Sequence, residues 1–420
     1  MFNKNYFASI LLGAAITLLI PQQVLADAEG ERIIRLLDKE HLDKDVADIV
    51  KGLIKGGADV NTVDADGYTP LITAAALGEV EVMKALLKAG ANINKANKGF
   101  TPLMLASRNG HYFASKLLLK KGANIHLKNI YNETALHCAG QGALEDIVIM
   151  LIKKGAKINL KDEDGMTPLL YTTKNWLAEA SLLLIKKGAN TNVKDEDGNT
   201  PLLYAAKSSM ANVVIKLISK GADINVKDVD GKSALYFAME YTMEKLFAKL
   251  IAEGVDIEIK TSEEVSPLFF AAREGLNGSI LRLLKRDTDI NEENKFEKSP
   301  LIVAIKNNKT KTATLLMKKG ANVNVIDVDK SSALIYATGL GLSNTAIELI
   351  NKGANVNEQN KYKETPLMNA SEKGLTKVVK LLIKKGANVK TQDRNGDTAI
   401  EYAGHNKHNN IIKILKAAAK

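Results

Sequence analysis

The chain has 420 residues, 45% apolar and 25% charged, the composition of a folded globular protein and not of a disordered or fibrous one. Lys and Arg outnumber Asp and Glu by 58 to 48, a net charge of +10, so only the placement of the cations can separate nucleic-acid, anionic-surface and protein partners. The single cysteine, Cys138, excludes an internal disulfide, a cysteine-rich zinc site and a dithiol pair, and its setting in Leu136-His137-Cys138-Ala139 reads as buried core.

The first element is a short polar stretch with Lys4, followed by the apolar run Phe7 to Ile20 and by Pro21. Val24-Leu25-Ala26 then offers small residues where a signal peptidase reads them, so residues 1–26 are expected to be a signal peptide cleaved after Ala26. Fourteen apolar residues fall short of the roughly 20 that span a bilayer, and no later segment is apolar enough to cross one. The expected location is therefore outside a bacterial cytoplasm, in the periplasm or secreted.

Next come two amphipathic stretches, Ile33-Ile34-Leu36-Leu37 and Val46-Ile49-Val50-Leu53-Ile54. They lack the signal that marks everything after them, and residues 27–63 read as an N-terminal helical cap, a degenerate repeat closing one end of an array.

From Thr69 onward one signal returns: Thr69-Pro70-Leu71, Thr101-Pro102-Leu103, Thr134-Ala135-Leu136, and so on to Thr398-Ala399-Ile400. The first interval is 32 residues and the others 33. Glycines keep the same beat (Gly57, Gly90, Gly122, Gly155 and onward), broken at Asp287. A third series places Asp or Asn five residues before the Thr/Ser, as at Asp64, Asn129, Asp162 and Asp195.

Each signal has a physical task. The Thr or Ser hydroxyl caps the free N–H groups of a first helix, and Pro follows where its missing N–H is harmless. Small residues such as Ala74-Ala75 and Ala205-Ala206 let neighbouring helices approach. A second helix, apolar at Val82, Leu86 and Leu87, ends on a glycine suited to the left-handed conformation. Paired lysines at that end, such as Lys120-Lys121 and Lys186-Lys187, suit the negative end of the helix dipole. An Asp/Asn-Gly turn then leads into the next unit.

Asp195 to Ala206, reading DEDGNTPLLYAA, resembles the DxxGxTPLHLAA core of the ankyrin repeat, and Gly221-Ala222-Asp223-Ile224-Asn225 its GAxxN ending. The resemblance covers residues 64–420 as eleven units: 64–95, 96–128, 129–161, 162–194, 195–227, 228–260, 261–293, 294–326, 327–359, 360–392 and 393–420. It implies an all-α ankyrin solenoid of stacked helix-turn-helix units with short β-hairpin fingers. Fingers and first helices would line a concave groove, with the second helices behind. His137 falls on the histidine of the family's TPLH motif and is expected to be structural.

No phosphate-binding loop, nucleophile elbow or HExxH motif is present, and His405 and His408 lack partners for a metal site. Every segment from residue 64 is used by a repeat, so the expectation is a non-enzymatic scaffold without catalytic residue, metal or cofactor. The partner is expected to be a protein held by the chain as a monomer. The finger tips offer Tyr68, Phe100, Ile130, Tyr131, Phe296 and Tyr362, and the late first-helix positions offer Arg108, Lys174, Lys207, Arg273 and Lys306. With Glu163, Asp164, Glu196 and Asp197 at the middle tips, the groove has an acidic rim and a basic floor, fitted to a partner of mixed charge. The acidic rim argues against nucleic acid, which needs a continuous positive track. The alternatives are a secreted effector acting on a host protein and a binder of anionic cell-envelope surface. Trp176, where other units carry a loop glycine, is expected to plug the space between loops. The column Tyr171, Tyr204, Phe237, Phe270, Tyr336 and Tyr402 is expected to be core.

Overall fold

A hydroxyl placed just before a proline fixes where each first helix starts. Thr69 is extended (φ −99°, ψ 160°) and its Oγ1 accepts from the Ile72 N–H at 3.2 Å, while Pro70 opens the helix Pro70–Leu77. The same cap recurs at Thr101, Thr167, Thr200, Ser266, Ser299 and Ser332. In the computed structural model, which describes residues 22–38 and 45–420, these caps and the helices they start define an all-α array of twenty-four helices. The fingers contain only isolated bridges among the described residues, at Asn97–Phe100, Lys227–Ser233 and Ile326–Ser332, in place of paired strands.

The chain divides into two compact units, residues 1–222 and 223–420. In the first, successive first helices pack on one another from Pro70–Leu77 to Pro201–Lys207, and successive second helices do the same from Val80–Lys88 to Ala211–Ile218. The helices Gln22–Leu37 and Val46–Lys55 continue these two layers, against Pro70–Leu77 and Val80–Lys88 respectively. Ile33, Ile34, Leu37, Val46 and Val50 are buried there, whereas Ile49 is exposed. In the second unit first helices stack from Pro267–Glu274 to Ala399–His405.

Ala74, Ala75, Ala106, Ala205, Ala206, Ala271 and Ala272 have no exposed surface, so helix backbones approach closely and Val82, Leu86 and their equivalents close the space behind them. A ladder of asparagines ties one repeat to the next. The Asn61 amide donates to the Gly90 carbonyl at 3.3 Å and accepts from the Asn92 N–H at 2.7 Å. Asn324 repeats both bonds, to Gly353 and from Asn355. The rung changes at Glu258, where Arg286 reaches back to the Val255 carbonyl at 2.7 Å.

The periodic Asp/Asn builds the finger. The Asp64 carboxylate accepts from the N–H groups of Asp66 and Tyr68, and Asp327 from those of Asp329 and Ser331. The polar residue five before the cap thus holds the turn shut, and Thr261 does the same with its hydroxyl.

Residues 1–21, most of the expected signal peptide, lie outside the described residues. The helix Gln22–Leu37 runs across the Ala26–Asp27 bond, and the Ala26 carbonyl accepts from the Asp59 N–H at 3.0 Å. Trp176 is a correction: it is 74% exposed and plugs nothing. Its φ of +64° is the left-handed turn that Gly78 and Gly110 make elsewhere.

Candidate functional site

Two adjoining clefts of about 400 and 380 Å³ open on the finger side of the first unit. The first is lined by Phe100, Arg108, Tyr131, Glu133, Gln141, Asp162, Glu163 and Asp164. The second is lined by Gln141, Asp164, Met166, Tyr171, Lys174, Asn175, Asp195, Glu196 and Asp197. Gln141 and Asp164 belong to both.

Local folding positions these groups. Asp162 Oδ1 accepts from the Met166 N–H to close its finger, and its Oδ2 accepts from the Tyr171 hydroxyl at 2.8 Å. Tyr204 and Asp195 pair in the same way at 2.5 Å, so each finger is latched to the first helix that follows it. Burial, followed by the adjacent carboxylate, pushes both phenols well above the ordinary tyrosine range, so they stay protonated donors. The latch revises the expected aromatic core column. Tyr171, Phe237 and Phe270 are buried, but Tyr204, Tyr336 and Tyr402 are half-buried and held by hydroxyl bonds to Asp195, Asp327 and Asp393. Glu133, also buried, accepts from the Asn129 amide.

The four carboxylates at the tips, Glu163, Asp164, Glu196 and Asp197, are exposed and enter no ion pair among the described residues. The floor cations do not neutralise them. The Arg108 guanidinium lies 5.8 Å from the centre of the Phe100 ring, and the Lys174 ammonium 5.6 Å from that of Tyr204. Phe100 meets Tyr131 edge-on at 6.2 Å, and the Tyr131 carbonyl accepts from the Glu163 N–H, which ties neighbouring tips together.

Phe100, Arg108, Tyr131 and Lys174 are therefore brought together. Tyr68 and Ile130 are exposed on the same unit without lining either cleft, and Lys207 donates to the Asn199 side chain at 3.0 Å. Arg273, Phe296, Lys306 and Tyr362 belong to the second unit. There Arg273 lies over Phe270 and beside Glu274, and Lys306 lies 4.5 Å from the Tyr336 ring centre. Phe296 and Tyr362 are half exposed under Lys298 and Lys361. Sequence reading passed over Gln141, although it stands 33 residues from both Arg108 and Lys174 and so shares their place in the repeat. Its lack of charge hid it.

Among the described residues no group of three or more His, Cys, Asp and Glu side chains could hold a metal ion, and no helix is long and apolar enough to cross a membrane. His137 is buried and ties the start of its repeat to the end of the same unit: its Nδ1 accepts from the Thr134 N–H at 3.2 Å and its Nε2 donates to the Leu160 carbonyl at 3.0 Å. Burial holds its pKa below the usual histidine value, as befits a structural neutral ring.

Capped first helices, alanine contacts, left-handed helix ends and latched fingers repeated at one spacing define a tandem helical-repeat protein. More narrowly, the chain belongs to the ankyrin-repeat family: the family model for ankyrin repeats matches residues 42–129, 116–195, 136–228, 179–261, 268–360 and 335–420. No curated protein matches it.

Proposed function

We propose that the protein is a non-enzymatic scaffold that holds a protein partner on the finger side of its first unit, and that it acts outside the cytoplasm of a bacterium. Ankyrin repeats are general protein-interaction modules, and that class is the starting point. The observation that carries the reading further is the pair of adjoining clefts, walled by Phe100, Tyr131 and Tyr171 and rimmed by exposed carboxylates. Rigid aromatic walls beside unsatisfied polar groups are the usual anatomy of an interaction hot spot.

Export is supported by the sequence of residues 1–26. Residue 27 is then the first of the mature chain, and mass spectrometry of the protein from the producing cell should read Asp27-Ala28-Glu29 at its N-terminus; an intact Met1 would overturn this part. For binding, the mature chain should capture a specific partner. A variant with Tyr68, Phe100 and Tyr131 changed to Ala should lose it. Undiminished capture by that variant, with its helical content intact, would move the site off this face.

A further inference from the structure

We infer that the segment seated in the two clefts is a basic, extended stretch of polypeptide with Lys or Arg at about every third position. The inference rests on the groove reading above and gives its occupant a chemistry. Although the whole chain carries +10, the two clefts are lined by seven carboxylates and two cations. Asp162, Asp195 and Glu133 are occupied by internal bonds, but the four tip carboxylates are exposed and unpaired. Neighbouring fingers therefore present charges of one sign, and the negative field of the clefts favours a cationic occupant. The two floor cations lie over the rings of Phe100 and Tyr204 and offset only part of the charge of the seven carboxylates. A partner of mixed charge, the expectation from sequence, would leave its own acids facing that rim. A phosphate-bearing ligand would meet the same repulsion.

The spacing sets the register. Adjacent repeats place their helices about 8–10 Å apart. A polyproline-type chain rises roughly 3.1 Å per residue and returns to the same face every third residue, close to one repeat. One basic side chain per finger then needs the pattern of a cation followed by two apolar or neutral residues.

The test uses the full chain and fluorescence anisotropy at low salt. The probe is a fluorescein-labelled twelve-residue peptide repeating Arg-Pro-Leu, with a Glu-Pro-Leu peptide of the same length beside it. The basic peptide should bind, weaken as salt rises, and bind much better than the acidic one. The amide variant Glu163→Gln, Asp164→Asn, Glu196→Gln, Asp197→Asn should lose at least about fourfold in affinity, since each exposed ion contact gives a factor of roughly 1.4 to 5. A control removing acids on the second helices, Asp146→Asn with Glu179→Gln, should lose nothing. Failure of the basic peptide to bind, equal binding of the acidic one, or full binding by the amide variant overturns the inference. Should Phe100→Ala with Tyr131→Ala abolish binding while the amide variant keeps it, the groove stands and its charge preference falls. Basic-peptide binding untouched by either set removes the groove reading as well.

Discussion

Glu264, Asp287 and Glu297 are among the residues of the second unit that sit where the repeat calls for glycine, as Lys330 and Lys363 also do, and replacing those three should stabilise the protein. Glu264, Asp287 and Glu297 have φ of +60°, +57° and +55°, the left-handed region in which a Cβ crowds the following carbonyl. The strain is about 1–2 kcal/mol per ordinary residue. Glycine returns part of this because it loses more freedom on folding, roughly 0.5–1 kcal/mol. The net for Asp287→Gly, Glu264→Gly or Glu297→Gly is then about 0.5–1 kcal/mol of added stability each. The side chains give little in return: Glu264 has one exposed ion contact, to Lys260 at 3.5 Å. The same stretch has lost its asparagine rung at Glu258, so strain and a changed tie coincide. Urea unfolding of single and triple variants gives the free energies, and hydrogen exchange locates them. Stability should rise, and amides of residues 254–300 should gain protection relative to those of residues 324–390. A loss of stability in Asp287→Gly, or a gain spread evenly over the second unit, would refute the strain argument.

Two further outcomes follow from burial. Glu292 is half-buried and accepts a bond from the Ser266 hydroxyl, and desolvation, the largest influence, raises its pKa above the usual glutamate value of 4.5. A raised folded-state value means that its contribution to stability is full below that usual value and is lost as pH climbs through the folded one. Glu292→Gln should therefore stabilise the protein at neutral pH, and the difference from the parent should vanish on acidification in thermal melts; an unchanged difference at low pH would contradict it. Cys138 has no exposed surface, and burial pushes its thiol up to about 12, so it should resist a thiol reagent at neutral pH in the native state and react at once in denaturant. Native-state labelling at the denatured rate would show that the helix Ala135–Gln141 opens readily.

Much of the fold was legible because each repeat spends its residues on local physics. Thr69 before Pro70, the alanines behind it and the glycine closing the second helix each have one job that follows from backbone chemistry alone. Two things were not legible. Trp176 has the size of a plug, yet the structure leaves it 74% exposed, a placement that residue type alone does not reveal. The tyrosine column looked like plain core because the hydroxyl's partner lies nine residues back, on a finger whose aspartate already had an evident role in closing the turn. One carboxylate doing both tasks is invisible to a reading that assigns each residue a single function.

The charge of the groove poses the same difficulty. From sequence, alternating acidic tips and basic floor positions count as opposite charges available to each other and to a partner. The structure separates availability from charge. Arg108 and Lys174 are spent on neighbouring rings, and the aspartates that anchor the fingers are spent on N–H and hydroxyl donors. The exposed tip carboxylates on consecutive fingers enter no ion pair among the described residues, and the uncharged Gln141 lines both clefts with Asp164. In a repeat protein the positions that recognise a partner are those the stacking does not consume. They are found by subtracting every side chain already bonded, and that subtraction requires coordinates where composition and spacing do not suffice.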